Sequence, residues 1–74
     1  MNTNTENWEN WTQDELSSVR KTPMNLYLNV YPIRHTFTLE IWCNTNRIAH
    51  CSNLPTREKA QELCDVLADQ ILLT

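Results

Sequence analysis

His50 and Cys51 are adjacent in the sequence, and a thiol activated by an imidazole is a common catalytic nucleophile. That chemistry requires the two side chains to touch and a third group to orient the histidine. The surrounding residues, about 47–52, favour a β-strand, in which neighbouring side chains point to opposite faces of a sheet. Because the pair would diverge, we expect no catalytic residues and a protein that is not an enzyme.

Metal and cofactor chemistry has no matching pattern either. Cys43, Cys51 and Cys64 are widely spaced and form no C-x-x-C pair, so the ligand spacing of a tetrahedral zinc site is missing. The chain contains no glycine, which excludes a Gly-rich phosphate-binding loop. We therefore expect no metal and no cofactor. Cys43 and Cys64 are expected to be small core residues, and three free thiols favour a reducing cytoplasm.

The length of the chain limits what it can build. Its 74 residues, 41% of them hydrophobic, suffice for one small core. A ligand pocket of about 300–1,000 Å³ is hard to enclose in so few residues. Because neither a secretory leader nor an apolar stretch of about 18 residues is present, we expect a cytoplasmic protein without a membrane span. We predict a flexible polar tail at 1–10 and a single domain at 11–74.

The start of the predicted domain has the signature of a helix N-terminus. Thr12 is a good N-cap, and Glu15 three residues later completes a capping box. Trp11 before the cap and Leu16 after it would form a hydrophobic staple. This pattern predicts a short helix over about 13–21.

Two later stretches, 25–31 and 36–43, alternate between apolar and polar side chains as half-buried strands do. Pro32 is predicted to end the first strand. Residues 44–47 are predicted to form a hairpin loop, in which an asparagine takes the left-handed conformation usual for glycine. The strand at about 47–52 follows, and the short connections require antiparallel pairing.

The last third of the chain has the periodicity of an amphipathic helix that begins near Thr56 or Arg57. We predict an α+β fold, a three-stranded antiparallel sheet with a short N-terminal helix and a long C-terminal amphipathic helix in the order α-β-β-β-α. The apolar side of the last helix comprises Ala60, Leu63, Cys64, Leu67, Ala68 and Ile71, and its acidic side comprises Glu58, Glu62, Asp65 and Asp69.

Several residues fit this order in a way that resembles the double-stranded-RNA-binding domain. They are Tyr27 in the first strand, His35 and Phe37 around the start of the second, and Arg57 and Lys59 at the start of the last helix. In that family, helix-start lysines bind phosphates across the major groove and a loop histidine touches a minor groove. The resemblance implies nucleic-acid binding by His35, Arg57 and Lys59. The acidic side of the last helix would repel phosphates, which favours a protein partner instead.

The net charge of −3 is segregated, with two acidic ends around a basic middle. Aromatic residues beside charge are typical of binding hot spots, and Tyr27, Tyr31 and Trp42 are expected on the sheet face opposite the core. The alternatives are that the first helix covers them or that they stack nucleic-acid bases. The predicted protein-binding residues are Trp8, Trp11, Tyr27, Tyr31 and Trp42 as apolar anchors, with Arg34, Arg57 and Glu62 setting orientation.

In size and composition the chain resembles the small proteins that phages make to inhibit host machinery, such as RNA polymerase or a defence nuclease. The resemblance implies a non-enzymatic regulator that binds a host protein and blocks it by occupancy. The alternative is a nucleic-acid-binding module like the double-stranded-RNA-binding domain. A third alternative is a homo-oligomer, in which an open sheet face or an edge strand pairs between copies.

Overall fold

A five-stranded antiparallel sheet carries a single helix on one of its faces in the part of the chain that the structure describes, residues 8–13 and 17–73 of a computed structural model. The strands are neighbours in the order in which they follow one another along the chain. The elements are β1 (Thr12–Gln13), β2 (Ser18–Lys21), β3 (Leu26–Ile33), β4 (Thr36–Cys43), β5 (Asn46–Leu54) and α1 (Arg57–Leu73), with a short 3-10 turn at Pro23–Asn25. The α+β class is confirmed, but the predicted α-β-β-β-α order with three strands is wrong.

The predicted N-terminal helix over 13–21 is replaced by a β-hairpin. β1 and β2 pair antiparallel, with Thr12 opposite Val19, and β2 then pairs along its whole length with β3. The Ser-Ser-Val sequence at 17–19 has low helix propensity, and pairing with β3 leaves Ser18 fully buried. Tertiary pairing therefore outweighs the local cap signal at Thr12.

The predicted tail and helix start lie partly outside the described residues. This applies to residues 1–7 and to Glu15 and Leu16 of the predicted capping box and staple. Trp8, which belongs to the predicted tail, is buried against the fold.

The β3–β4 hairpin is longer than the sequence pattern indicated. Pro32 does not end β3 but lies inside the ladder, opposite Phe37. A proline is tolerated in a strand where its nitrogen has no hydrogen bond to donate. β3 therefore ends at Ile33, and Arg34 and His35 form a two-residue turn to β4.

β5 is an edge strand with two bulges. It extends beyond the predicted 47–52, and its register with β4 shifts once near Ile48 and once near Asn53. At each shift β5 contributes one residue more than β4, which bends the strand locally. Bulges of this kind are common at sheet edges, where they disturb the row of unpaired backbone groups.

Asparagine takes the left-handed conformation in the hairpin turn between β4 and β5, as predicted, but the turn comprises residues 44–45 and not the predicted 44–47. Asn44, with φ of 56°, opens the two-residue turn between β4 and β5, and Asn53 takes φ of 64° at a bulge. A short polar side chain lowers the steric penalty of this left-handed region. The positive-φ residues in the described part of the chain are Met24, Asn25, Arg34, Asn44 and Asn53.

Helix α1 packs on the sheet through a ridge of small side chains. Ala60, Cys64 and Ala68 are fully buried and spaced four residues apart, so they lie along one line of the helix. Burial and the charge of Asp65 raise the pKa of the Cys64 thiol to about 12, so it stays protonated and packs as a small apolar group. The predicted apolar side of the helix is confirmed. Beneath the ridge lie the fully buried side chains of Leu28, Val30, Leu39 and Ile41.

The start of α1 is confirmed near Thr56. Its Oγ1 accepts a hydrogen bond from the backbone N–H of Lys59 at 3.1 Å, which is the geometry of an N-cap. The helix therefore begins where the sequence indicated, and its first turn lies at the β3–β4 turn end of the sheet, where Arg57 contacts Phe37.

Leu28→Ala is expected to lower the free energy of unfolding by about 2–5 kcal/mol, because the substitution leaves a cavity in the core. The matched control is Leu73→Ala, since Leu73 at the end of α1 is 64% exposed. That control is expected to change the free energy by less than about 0.5 kcal/mol. Urea unfolding followed by tryptophan fluorescence measures both variants, and equal losses would contradict this description of the core.

Candidate functional site

The sheet face that points away from α1 carries aromatic side chains that are exposed or partly buried, namely Tyr27, Tyr31 and Trp42. Alternate residues of a strand point to opposite faces, so burial of Leu28 and Ile41 against α1 places Tyr27 and Trp42 on the other side. Among the described elements none is stacked on this side, because α1 and Trp8 pack on the core side and the strands belong to the sheet itself. The open face, as we call it, is formed by Lys21, Tyr27, Asn29, Tyr31, Thr38, Glu40, Trp42, Arg47 and His50.

Glu40 lies at the centre of the open face and is only 9% exposed. Its Oε1 accepts a hydrogen bond from the indole Nε1 of Trp42 at 2.9 Å. Its Oε2 accepts one from the Tyr31 hydroxyl at 3.0 Å and one from Nη1 of Arg47 at 3.1 Å. Hydrogen bonds to an ionised acceptor are stronger than neutral ones, so this carboxylate orients both aromatic side chains.

The same hydrogen bonds control the ionisation of Glu40. Burial alone would raise the pKa of its carboxyl group, but hydrogen bonds from Trp42, Tyr31 and Arg47 outweigh burial and lower the pKa below its ordinary value. Burial, together with the neighbouring Glu40, raises the pKa of Tyr31. At neutral pH the carboxylate is therefore charged and the Tyr31 hydroxyl remains a donor.

Beside Glu40 the open face has a shallow depression. Tyr27 and Trp42 are directly opposite each other in the β3–β4 ladder, where Cβ atoms lie about 4.5–5.5 Å apart. The depression has a volume of about 300 Å³ and is lined by Tyr27, Asn29, Glu40, Trp42 and Asn44. A second depression, of about 280 Å³, adjoins it and shares Tyr27 and Asn44 with it.

Trp8 and Trp11, predicted as exposed anchors, lie on the core side of the sheet instead. Trp8 is 7% exposed, and the guanidinium carbon of Arg20 lies 4.9 Å from the centre of its ring. Trp11 Nε1 donates to Asp65 at 3.2 Å. Arg20 donates to Asp65 at 2.8 Å and to the backbone carbonyl of Glu9 at 2.6 Å. Trp11 therefore attaches the N-terminal segment to α1 and is partly buried, and Trp8 is buried in the core beneath Arg20.

The predicted acidic side of α1 is interrupted at Asp65. Burial raises the pKa of its carboxyl group, and hydrogen bonds from Trp11 and Arg20 oppose that rise. Glu58 and Glu62 remain exposed. Sequence reasoning missed the contact of Asp65 with Arg20 because the two residues are 45 positions apart and no local spacing signals it.

The basic residues at the start of α1 are not on the open face. The guanidinium carbon of Arg57 lies 5.4 Å from the centre of the Phe37 ring, and its Nη1 donates to Oε1 of Gln13 at 3.4 Å. Lys59 pairs with Glu62 at 3.8 Å on the solvent side of the helix. The structure therefore separates Arg57 and Glu62 from the aromatic residues of the open face, with which they were predicted to bind a protein.

Arg34 and His35, the other predicted binding residues, lie outside the open face, and His50 and Cys51 lie on opposite faces of the sheet. Arg34 and His35 are exposed in the β3–β4 turn. His50 points to the open face, whereas Cys51 lies on the core side, so their predicted divergence is confirmed.

Within residues 8–13 and 17–73, no group of three or more His, Cys, Asp or Glu side chains is placed to bind a metal ion. The one helix of this part of the chain is too short and too polar to cross a membrane. No known protein family, curated protein or solved structure matches the chain. A functional assignment therefore rests on the geometry of the open face.

Glu40→Gln is expected to lower the free energy of unfolding at neutral pH by about 1–3 kcal/mol, because an amide cannot replace a carboxylate that accepts three hydrogen bonds. The folded-state pKa of Glu40 is lowered, so its stabilisation is present above the unfolded pKa of about 4.3 and is lost as pH falls through the folded pKa. The difference between wild type and variant should therefore shrink as the pH falls below the unfolded pKa.

Urea unfolding across that pH range tests this expectation. The matched control is Glu62→Gln, since the Glu62 side chain is 72% exposed, and it should show little difference from wild type at any pH. A Glu40→Gln deficit that stays constant from neutral to acidic pH would show that the charge of Glu40 is not the stabilising feature.

Proposed function

We propose that this protein is a small non-enzymatic regulator that binds a protein partner through the open face and acts by occupancy. The observation that carries the proposal is the uncovered cluster of Tyr27, Tyr31 and Trp42 around Glu40. Tyrosine and tryptophan combine a large apolar ring with a polar group, and for this reason they are enriched in binding hot spots.

The arrangement of the cluster supports this role, because its side chains are ordered without a partner. Glu40 binds the polar groups of Tyr31 and Trp42, so neither ring is free to rotate away from the face. A partner that contacts ordered rings loses less conformational entropy than one that must order them on binding. Such preorganisation favours tight binding by a small surface.

The dimensions of the molecule also suit a protein partner. It measures 33 × 26 × 19 Å along its principal axes. A standard protein–protein interface buries about 800 Å² on each partner, so most of the open face would be used. A shallow face of this size fits a protein surface better than it encloses a small substrate.

We further propose that the partner belongs to bacterial host machinery, as the resemblance to small phage inhibitors implies, and that binding takes place in the cytoplasm. RNA polymerase or a defence nuclease would be blocked by a bound chain that covers a working surface. No catalytic step by this chain is needed for such inhibition.

Capture from a bacterial lysate with Trp42→Ala and Tyr27→Ala tests the proposal. Each substitution is expected to reduce recovery of the partner at least about 30-fold, which corresponds to a hot-spot loss of about 2 kcal/mol. The control is Val66→Ala on α1, since Val66 is 52% exposed and lies on the opposite side of the molecule. Circular dichroism establishes that each variant is folded.

Two results would contradict protein binding by the open face. One is equal recovery of the partner by wild type, Trp42→Ala and Tyr27→Ala. The other is loss of the captured protein after nuclease treatment, with retention of nucleic acid, which would favour the nucleic-acid-binding alternative instead.

A further inference from the structure

The depression beside Glu40 has the chemistry of a site for a positively charged group. Tyr27 and Trp42 supply two aromatic rings, and Glu40 supplies a carboxylate. Asn29 and Asn44 add carboxamide oxygens, and none of the residues that line this depression is basic. Aromatic faces attract cations, since the ring carries partial negative charge above its plane.

The carboxylate of Glu40 retains capacity for a further donor. Its two oxygens offer about four acceptor positions. Oε2 accepts from Tyr31 and Arg47, whereas Oε1 accepts from Trp42 alone. One acceptor position of Oε1 therefore remains for a donor that enters from the depression.

Arg47 shows that the cluster accommodates a guanidinium group. It lies opposite Trp42 in the β4–β5 ladder, and its Nη1 is 3.1 Å from Oε2 of Glu40. The Arg47 side chain remains 47% exposed and does not line the depression. It therefore binds the carboxylate from the edge of the sheet and leaves the depression lined by Tyr27 and Trp42 open.

The net charge of the chain also favours a positively charged partner. Its net charge is −3, and Glu58 and Glu62 are exposed on α1. A negative protein attracts a basic partner over long range and accelerates their encounter. Glu58 and Glu62 lie on the side away from the open face, which carries Lys21 and Arg47 beside Glu40. The net charge therefore favours encounter with a basic partner, whereas selection of a cationic side chain rests on the depression, whose lining contains Glu40 and no basic residue.

We propose that the depression receives an arginine or lysine side chain from a basic segment of the protein partner. Glu40 is the counter-ion of that side chain, and the rings of Tyr27 and Trp42 line the depression that receives it. This inference rests on the proposed protein-binding function, and it names the chemistry that the partner presents to the open face.

Short peptides test the inference without the partner. The probes are the tripeptide amides acetyl-Gly-Arg-Gly, acetyl-Gly-Gln-Gly and acetyl-Gly-Glu-Gly, added to the full-length ¹⁵N-labelled chain. The arginine peptide is expected to shift the indole N–H resonance of Trp42 in a saturable manner and to leave that of Trp11 unchanged. Trp42→Phe assigns the resonance, and the glutamine and glutamate peptides should cause no shift.

Two substitutions are expected to change the affinity for the arginine peptide in opposite directions. Glu40→Gln should weaken binding of the arginine peptide at least about tenfold, because the counter-ion is lost. Arg47→Gln should tighten binding of the arginine peptide severalfold, because the positive charge that already neutralises the Glu40 carboxylate is removed. Lys59→Gln is the charge-matched control, since Lys59 lies on α1 away from the open face, and it should leave binding of the peptide nearly unchanged.

The outcomes separate failure of this inference from failure of the proposed function. No response to the arginine peptide, a response to the glutamate peptide instead, or weaker binding by Arg47→Gln would overturn the cation site. If Trp42→Ala and Tyr27→Ala still abolish capture of the partner in that case, protein binding by the open face stands. Unchanged capture by those two variants would overturn the proposed function itself.

Discussion

The close packing of α1 on one side of the sheet determines the character of the other side. Ala60, Cys64 and Ala68 form a ridge of small side chains, which allows the helix backbone to approach β3 and β4 closely. The large apolar side chains of those strands fill the space beneath it. Side chains alternate between the two faces along a strand. The packing of α1 on the buried residues of β3 and β4 therefore places the residues between them, including Glu40 and Trp42, on the open face. The candidate site is thus a consequence of how the core is built.

The parts of the fold that follow a local rule could be predicted from the sequence. The alternation of 36–43 and the 3.6-residue periodicity of α1 identified a strand and a helix at nearly their observed positions. The N-terminal hairpin could not be identified in this way, since Thr12 and its neighbours have the composition of a helix start. What decides their structure is pairing of β2 with β3, a contact between consecutive strands that the helix propensity of single residues does not describe.

The candidate site likewise has features that the sequence could predict and features that it could not. Alternation alone placed Tyr27, Tyr31 and Trp42 on one face, as the structure has them. The central position of Glu40 depends on the register of two hairpins and on a bulge that brings Arg47 opposite Trp42. Trp8 looked equally exposed in the sequence, yet a guanidinium group contributed by β2 covers its ring. Such contacts depend on register and tertiary approach, which composition does not encode.

The position of Glu40 is difficult to explain by stability alone. A β-branched or aromatic residue suits the middle of a strand better than glutamate, and burial of a carboxylate carries a desolvation penalty. Three donors offset that penalty in this chain, and two of them come from aromatic side chains on the same face. A network of this kind orders a surface more than it strengthens a core. Its place on the uncovered face, and not beneath α1, is the reason why we propose that it serves recognition of a partner.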